Sequence, residues 1–171
     1  MLTGGIHMNS FQKFVHRTNF VFQLLAGILV LVIVAALGWD LVARNVFNAP
    51  TLWAMDLSRL ALLFLFFLAI GPALESGSHV AVDILNEYLT GRPRWALQVV
   101  AQVLVIVFAC FLLWEVTGET YDAFVYDGSF PTVVPVKMKY VYWIGPFGVL
   151  QFLLTALSLL WTSSLQTSQA A

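Results

Sequence analysis

Charged residues are scarce in this chain, and their scarcity excludes most soluble folds. Only 10% of its 171 residues are charged, whereas 60% are hydrophobic. A soluble domain carries about a quarter charged residues, because it has to cover its core with a polar surface. The formal net charge is −1 and no cluster of basic residues is present, so a nucleic-acid partner is excluded as well. The composition predicts an integral membrane protein.

Cysteine and histidine are also rare, which argues against a catalytic or redox protein. Cys110 is the single cysteine and lies inside an apolar run, so no intramolecular disulfide can form. The three histidines, at positions 7, 16 and 79, are scattered outside the long apolar runs and leave no ligand pair for a haem. The sequence has no phosphate-binding glycine loop, nucleophile elbow or metal-spaced Cys/His set. We therefore expect neither enzyme activity nor a cofactor or metal ion in this chain.

Four long apolar runs dominate the sequence. They are residues 20–39, 60–74, 95–114 and 140–161; each lacks charged residues, and all eight Lys and Arg residues lie outside them, as is typical of helices that face lipid. The runs lack the ten-residue alternation of an outer-membrane barrel. The sequence therefore predicts an all-α integral membrane protein, a single domain over residues 1–171, with transmembrane helices at about 20–39, 54–75, 95–114 and 140–161. A cleaved signal peptide is the alternative for the first run, but twenty apolar residues are long for one.

The second apolar run is too short to cross a bilayer alone. It holds fifteen uncharged residues between Arg59 and Glu75, which is roughly 22 Å of helix against a hydrocarbon core of about 30 Å. A spanning helix must therefore extend from about 51 to 75 and carry charges near its ends. Charges at such positions are costly and commonly mark a partner or a function. Pro72 has no amide hydrogen and predicts a kink near the end of this helix.

An acid–base pair is expected at the start of this helix. Asp56 and Arg59 are three residues apart, and Trp53 precedes Asp56 by three, so the three side chains share one helix face. Pairing lowers the cost of holding charge near lipid, and an arginine can also bind a carboxylate of a neighbouring protein. A snorkelling pair at the membrane surface is the alternative. We favour the docking of a neighbouring protein.

The chain after this helix predicts a short element at the membrane surface. Gly77 is a natural helix stop, and Ser78 is a natural N-cap. Residues 79–89 are amphipathic and too few to span, so they predict an interfacial helix between the second and third spans. Glu75 and His79 are four residues apart and could form a pH-sensitive pair, a structural or docking contact, or a solvated turn. A proton relay is disfavoured because no ionisable group continues inward.

Polar and small residues predict contacts between the helices. Gln98 and Gln102 lie four apart on the third span, so both amides can hydrogen-bond to one neighbouring helix. Ala69 and Ala73 have the small-xxx-small spacing that lets a neighbouring backbone approach closely. We interpret both pairs as packing contacts.

The orientation in the membrane is weakly specified. An even number of spans places both termini on one side, and four basic residues then fall on each side. The first helix often dominates orientation, and Lys13 and Arg17 precede it. We therefore expect both termini in the cytoplasm.

Residues 44–85 carry an ordered pattern that resembles a known family. An arginine follows the first span, and an Asn-x-Pro turn comes next. The second span then begins with a tryptophan, an acidic residue and an arginine, and it has a glycine near its end. A His-x-x-x-Asp element follows the second span. The matching residues are Arg44, Asn48, Pro50, Trp53, Asp56, Arg59, Gly71, His79 and Asp83. With the Pro146-x-Gly148 entry to the last helix, the chain resembles the small membrane subunit (DctQ-like) of tripartite ATP-independent periplasmic (TRAP) transporters. The family commonly has glutamate in the place of Asp56.

The resemblance implies an accessory scaffold subunit of a sodium-coupled secondary transporter that imports organic acids across the bacterial inner membrane. Besides the lipid bilayer, it implies a soluble periplasmic substrate-binding protein and a large membrane subunit that holds the substrate and sodium sites and moves as an elevator. The small subunit would brace the large one. Its contact or structural residues would be Arg44, Trp53, Asp56, Arg59, Gly71, Glu75, His79 and Asp83. The alternatives are an independent small transporter, which would move substrate alone, and a membrane anchor of a redox complex, which would carry haem.

Overall fold

The computed structural model describes residues 10–77, 92–131 and 135–170, with side chains over 10–77, 99–131 and 135–161. These ranges form five helices: α1 Ser10–Val46, α2 Leu52–Glu75, α3 Arg92–Val125, the single-turn α4 Lys139–Tyr142 and α5 Ile144–Ala170. The predicted interfacial helix at 79–89, together with His79 and Asp83, lies outside the described residues and stays a prediction.

Four helical segments are long and apolar enough to cross a membrane, which confirms the predicted all-α architecture with four spans. α2 agrees with its predicted range, whereas α1 and α3 are longer than predicted. α1 begins ten residues before the first apolar run, and α3 continues eleven residues past Trp114. An apolar run marks the part of a helix that faces lipid, whereas the helix continues wherever propensity and packing allow.

A tight turn joins α1 to α2. Asn48 has a φ of +51°, a left-handed conformation that asparagine tolerates better than most residues. Asp40 Oδ1 accepts hydrogen bonds from the backbone N and from Oγ1 of Thr51, at 2.8 and 2.5 Å. Because Thr51 is the N-cap of α2, a carboxylate on α1 fixes the point at which α2 begins.

α2 passes through Pro72 and ends at Glu75. Pro72 cannot donate to the carbonyl of Leu68, but its own carbonyl still accepts from Ser76 N at 2.9 Å. Gly77 follows with a φ of +72°, which confirms the predicted helix stop. The proline therefore removes one hydrogen bond from α2 without ending it.

α2 and α5 form the centre of the bundle. α2 packs against α1 and α5, and α5 also packs against α3 and α1. Ala26, Leu68 and Ile144 form a buried core cluster where α1, α2 and α5 meet. The outer faces are apolar, with Leu31 69% and Leu104 61% exposed. This is the surface expected of helices that have lipid as their solvent.

α2 and α5 approach each other closely at Gly148. A Cβ on Gly148 would lie 2.3 Å from the carbonyl oxygen of Phe67, so only glycine fits there. Ala69 packs against the core, whereas Ala73 is exposed. The prediction of a close backbone approach at both alanines is therefore wrong for Ala73, which lines open recesses between α2 and the neighbouring helices.

The residues that follow α3 pair with the residues that precede α4, and we call these two described segments, 126–131 and 135–138, the hairpin. Phe130 N donates to Val136 O at 3.0 Å and Met138 N to Gly128 O at 2.9 Å, next to one antiparallel bridge. The Phe130 ring also stacks on Tyr142, with 5.8 Å between the ring centroids. These contacts fold the connection back onto α4 and the end of α3.

Gly148→Ala should lower the thermal unfolding midpoint of the detergent-solubilised protein by about 3 to 10 °C, since overpacking of this kind costs about 1–3 kcal/mol. The new Cβ would force α2 and α5 apart. Gly27→Ala is the matched control, because a Cβ at Gly27 meets nothing within 4 Å. Equal midpoints for the two variants would contradict the packing described here.

Candidate subunit interface

Asp56 and Arg59 form the predicted ion pair at the start of α2. Arg59 Nη1 lies 3.8 Å from Asp56 Oδ1. The acidic side chain is only 11% exposed, whereas the side chain of Arg59 is 68% exposed. The carboxylate therefore faces the protein, and the guanidinium faces away from it.

Trp53 lies beside this pair, as its spacing predicts. Trp53 and Asp56 line one open recess of about 250 Å³ together with Leu57, Leu60 and Val136. Val136 comes from the hairpin, so two separate parts of the chain build the recess. Trp53 is 44% exposed, and part of its indole is available to another molecule.

Arg44 pairs with a residue that sequence reasoning missed. Its Nη2 donates to Asp40 Oδ2 at 2.8 Å, one helical turn earlier, while Asp40 Oδ1 holds Thr51. The side chain of Arg44 is still 59% exposed. The sequence did contain a signal for this pair, because an acidic and a basic residue four positions apart on a helix can form an ion pair. Arg44 thus holds the Asp40 carboxylate that contacts Thr51 in the α1–α2 turn, and most of the Arg44 side chain remains exposed.

The hairpin adds a third group of charges at the same end of the bundle. Asp127 accepts hydrogen bonds from Lys137 Nζ and from Lys139 Nζ, the latter at 2.8 Å. The hydrogen bond from Lys137, followed by that from Lys139, lowers the pKa of Asp127 to about 2. These contacts tie the start of the hairpin to its end.

Glu75, at the opposite end of α2, turns inward. Its Oε1 accepts from His16 Nδ1 and its Oε2 accepts from Asn19 Nδ2, both at 2.7 Å. Both partners lie on α1. The pairing with His79 stays a prediction, because that residue lies outside the described residues. Glu75 is thus a link between α1 and α2.

Glu75 belongs to a group of five polar side chains that we call the polar cluster: His16, Asn19, Glu75, Gln151 and Thr155. Asn19, 1% exposed, is at its centre. Its Nδ2 also donates to Thr155 Oγ1 at 3.0 Å, and its Oδ1 accepts from Gln151 Nε2 at 2.8 Å. Thr155 Oγ1 donates to Gln151 O at 2.8 Å. One hydrogen-bond network therefore joins α1, α2 and α5.

Gly71 makes room for the polar cluster. A Cβ at this position would lie 3.0 Å from Asn19 Oδ1 and 3.3 Å from Gln151 Cγ. A larger residue would therefore push the two amides away from α2. The space needed by the polar cluster thus explains why the sequence pattern has a glycine at position 71.

Sequence reasoning missed the α5 members of the polar cluster, Gln151 and Thr155. They lie four residues apart inside the fourth apolar run, the same spacing that predicted a helix contact for Gln98 and Gln102. That prediction is confirmed for Gln102, whose Nε2 donates to Ala156 O at 2.7 Å. The side chain of Gln98 lies outside the described residues.

The ionisable groups lie towards the two ends of the bundle. The ion pairs of Asp40, Asp56 and Asp127 are at one end, and the pair of Glu75 with His16 is at the other. Within the ranges that the structure describes, no three His, Cys, Asp or Glu side chains group as metal ligands would. The arrangement joins helices and leaves the guanidinium groups of Arg44 and Arg59 exposed at one end of the bundle.

Comparison with known proteins identifies a matching family. Residues 33–165 match the family described as tripartite ATP-independent periplasmic transporters, DctQ component. The matched range contains Arg44, Trp53, Asp56 and Arg59 and all of α2, α3 and α4. It begins after the α1 members of the polar cluster.

Two named proteins are similar over part of the chain. The sialic acid TRAP transporter permease protein SiaT of Haemophilus influenzae is 30% identical over 108 residues, which cover 63% of this chain and 17% of SiaT. The sialic acid TRAP transporter small permease protein SiaQ of Vibrio cholerae is 25% identical over 89 residues, which cover 52% of this chain and 51% of SiaQ. The matches thus span about half of SiaQ and a small part of SiaT.

Thr155→Val should destabilise the protein by about 1–2 kcal/mol, because it removes a hydrogen-bond acceptor from the buried Asn19 amide at nearly constant volume. Thr117→Val is the matched control, since the exposed Thr117 hydroxyl donates only within its own helix, to Leu113 O. Unfolding free energies in mixed micelles measure the difference. Equal losses in both variants would refute the role given to the polar cluster.

The carboxyl of Asp127 should titrate near pH 2, well below the ordinary aspartate value of about 3.9. Its contacts therefore stabilise the folded hairpin at neutral pH, and this contribution fades as pH falls from about 4 through about 2. Carboxyl ¹³C NMR in micelles, assigned with Asp127→Asn, measures the midpoint. The double variant Lys137→Met, Lys139→Met should raise it towards the ordinary value; an unchanged midpoint would rule out the proposed cause.

Proposed function

Because this chain belongs to the DctQ-component family of tripartite ATP-independent periplasmic transporters, we propose that it is the small permease subunit of such a transporter and braces a larger membrane subunit. The family supplies the role in a transporter. The bracing role rests on the surface of this chain, above all on Arg59.

Arg59 is the observation that carries the proposal. Its side chain is 68% exposed, next to the apolar run of α2, and its Nη1 lies 3.8 Å from the Asp56 carboxylate, longer than a hydrogen bond. A guanidinium at the edge of the hydrocarbon core is costly unless it finds strong acceptors. A carboxylate or carbonyl groups of a neighbouring subunit would supply them in the planar geometry that arginine suits.

The recess next to this pair supports the same contact. It is apolar apart from Asp56, and it opens beside the half-exposed Trp53. Tryptophan and arginine are enriched among residues that dominate binding energy in protein interfaces. A side chain of the larger subunit entering this recess would cover Trp53 and bring its own polar groups near Arg59.

We place the substrate and sodium sites in the larger subunit, where an elevator motion would carry them across. In the described part of this chain, the ionisable groups lie towards the helix ends, whereas transport sites lie near the bilayer midplane. The names of both relatives mention sialic acid, which is an organic acid. This supports an organic acid as the substrate class.

We further propose that the transporter lies in the bacterial inner membrane with both termini of this chain in the cytoplasm. Lys13 and Arg17 precede the first span and favour that orientation. The α1–α2 turn, Arg59 and the hairpin would then face the periplasm. A soluble substrate-binding protein would deliver the organic acid on that side.

Arg59→Gln should reduce co-purification of the larger subunit about tenfold and reduce organic-acid uptake in parallel, because it removes a charge-assisted contact worth about 1.5–3 kcal/mol. Arg17→Lys is the control, at an exposed arginine on α1 at the opposite end of the bundle; it keeps the positive charge that favours the orientation of the first span. Pull-down from membranes and uptake into whole cells measure both effects.

Normal assembly and normal uptake with Arg59→Gln would refute the bracing role. Substrate flux in vesicles that contain this chain alone would favour the independent transporter, and haem absorbance of the purified chain would favour the redox anchor.

A further inference from the structure

An apolar recess lies between α2 and α3, in the half of the bundle that contains the polar cluster. Both helices pack on α5, and an open space of about 280 Å³ remains between them. Phe66 and Leu74 line this space on α2, Phe108 and Leu112 line it on α3, and Phe152 lines it on α5. The described side chains that border it are all apolar. We call this space the α2–α3 recess.

Contacts between α3 and α5 lie on both sides of the recess. Towards the hairpin, a Cβ added to Gly145 would overlap Val116 Cγ1 on α3 and lie 3.5 Å from Cζ of Phe67 on α2. Towards the polar cluster, Gln102 Nε2 donates to Ala156 O at 2.7 Å. The residues of α3 and α5 that line the recess fall between these two contacts. The spacing of the helices is therefore fixed along the recess, and the three helices meet at its hairpin side.

The recess is too short and too narrow for a helix of another protein. From Phe66 to Leu74 it runs about 12 Å along α2, whereas a spanning helix has to cross about 30 Å of hydrocarbon. A volume of about 280 Å³ over this length gives a cross-section of roughly 23 Å². A helix about 10 Å in diameter has a cross-section of roughly 80 Å². A molecule that fills the recess is therefore much thinner than a helix.

The recess lies in the hydrocarbon layer of the membrane. Phe66 and Leu74 belong to the second apolar run, and Leu74 is followed by Glu75 at the charged edge of that run. One leaflet contributes about 15 Å of hydrocarbon, so the recess covers most of the depth of the leaflet on the Glu75 side. Water does not fill an apolar cavity, and an empty one leaves its lining atoms without dispersion contacts. A hydrocarbon chain of this leaflet supplies those contacts.

We propose that the α2–α3 recess binds one acyl chain of a membrane phospholipid from the leaflet on the Glu75 side. The acyl chain adds contacts between two helices that are joined through α5. Because the described lining of the recess is apolar, recognition depends on the length of the acyl chain and not on the headgroup. This binding requires only that the protein spans a membrane, so it does not depend on the proposed function.

Native mass spectrometry measures the lipid retained by the full chain as purified from membranes, together with any subunit that co-purifies. The wild-type chain should retain one phospholipid. Ala73→Phe on α2 and Leu112→Trp on α3 fill the recess from its two sides, and each should lower the retained fraction about tenfold, since close-packed groups cannot share one space. Ala35→Phe is the matched control, at an exposed alanine in the first apolar run, and should retain lipid at the wild-type level.

Rebinding to the delipidated protein tests which part of the lipid is recognised. Dipalmitoyl phosphatidylethanolamine and dipalmitoyl phosphatidylglycerol should restore the bound lipid equally, because they share their acyl chains. Dihexanoyl phosphatidylethanolamine should not restore it, because its short chains do not extend along the recess to Phe66.

The outcomes decide between an acyl chain and other occupants of the recess. Loss of lipid in both recess variants, with Ala35→Phe and the co-purification of other subunits unchanged, supports the acyl-chain site. The site is overturned if the wild-type chain retains no lipid, if all three variants lose lipid equally, or if the dihexanoyl lipid rebinds as well as the dipalmitoyl lipids. It is also overturned if the recess variants release a larger subunit, since a side chain of that subunit would then be the occupant.

Discussion

The hydrogen bonds of Asn19 fix α1 against the rest of the bundle. Helices in lipid gain no hydrophobic energy by associating, so close packing and interhelical hydrogen bonds have to set their register. Of the buried residues of α1, only Val15 and Asn19 are larger than alanine; the others are Ala26, Ala36 and Ala43. The alanines allow a close approach at several registers. Asn19, which bonds to α2 and α5 together, is satisfied at one register only.

Because the apolar run of α2 is short, charged residues lie at both edges of the membrane. The contacts of these charged residues differ between the two edges. Glu75 has both of its oxygens occupied by side chains of α1. At the other edge, Asp56 is mostly buried but Arg59 is mostly exposed. A carboxylate that bonds inward stabilises the fold, whereas a guanidinium that faces outward is available to another molecule. The same sequence feature thus joins two helices at one end and leaves an exposed cation at the other, where we propose the contact with a larger subunit.

Features that depend on residues close together in the sequence could be predicted. Contacts between residues far apart in the sequence could not. The spans, the Asp56–Arg59 pair and the stop at Gly77 follow from residues within one or two helical turns. Asn19 bonds to partners 56 and 136 positions away, and a single sequence carries no signal of such a pairing. The extra length of α1 and α3 was missed because hydropathy reports on lipid contact, and helix ends do not depend on it.

The two ends of the bundle therefore have different roles. At the end with the termini, Glu75 and Asn19 bond to each other, and Asn19 also bonds to α5. At the other end, the guanidinium of Arg59 is exposed near the exposed Trp53. The carboxylates near the C-terminal end of α3 are exposed as well, beyond the exposed Trp114; they belong to Glu115, Glu119 and Asp122. An exposed charge beside an aromatic ring forms its strongest ion pair when a partner covers the charge and the ring together. Covering the ring excludes water, which lowers the local dielectric constant and strengthens the ion pair. We therefore expect the proposed contact with a larger subunit on the side of the hairpin, whereas on the opposite side the polar cluster joins α1, α2 and α5.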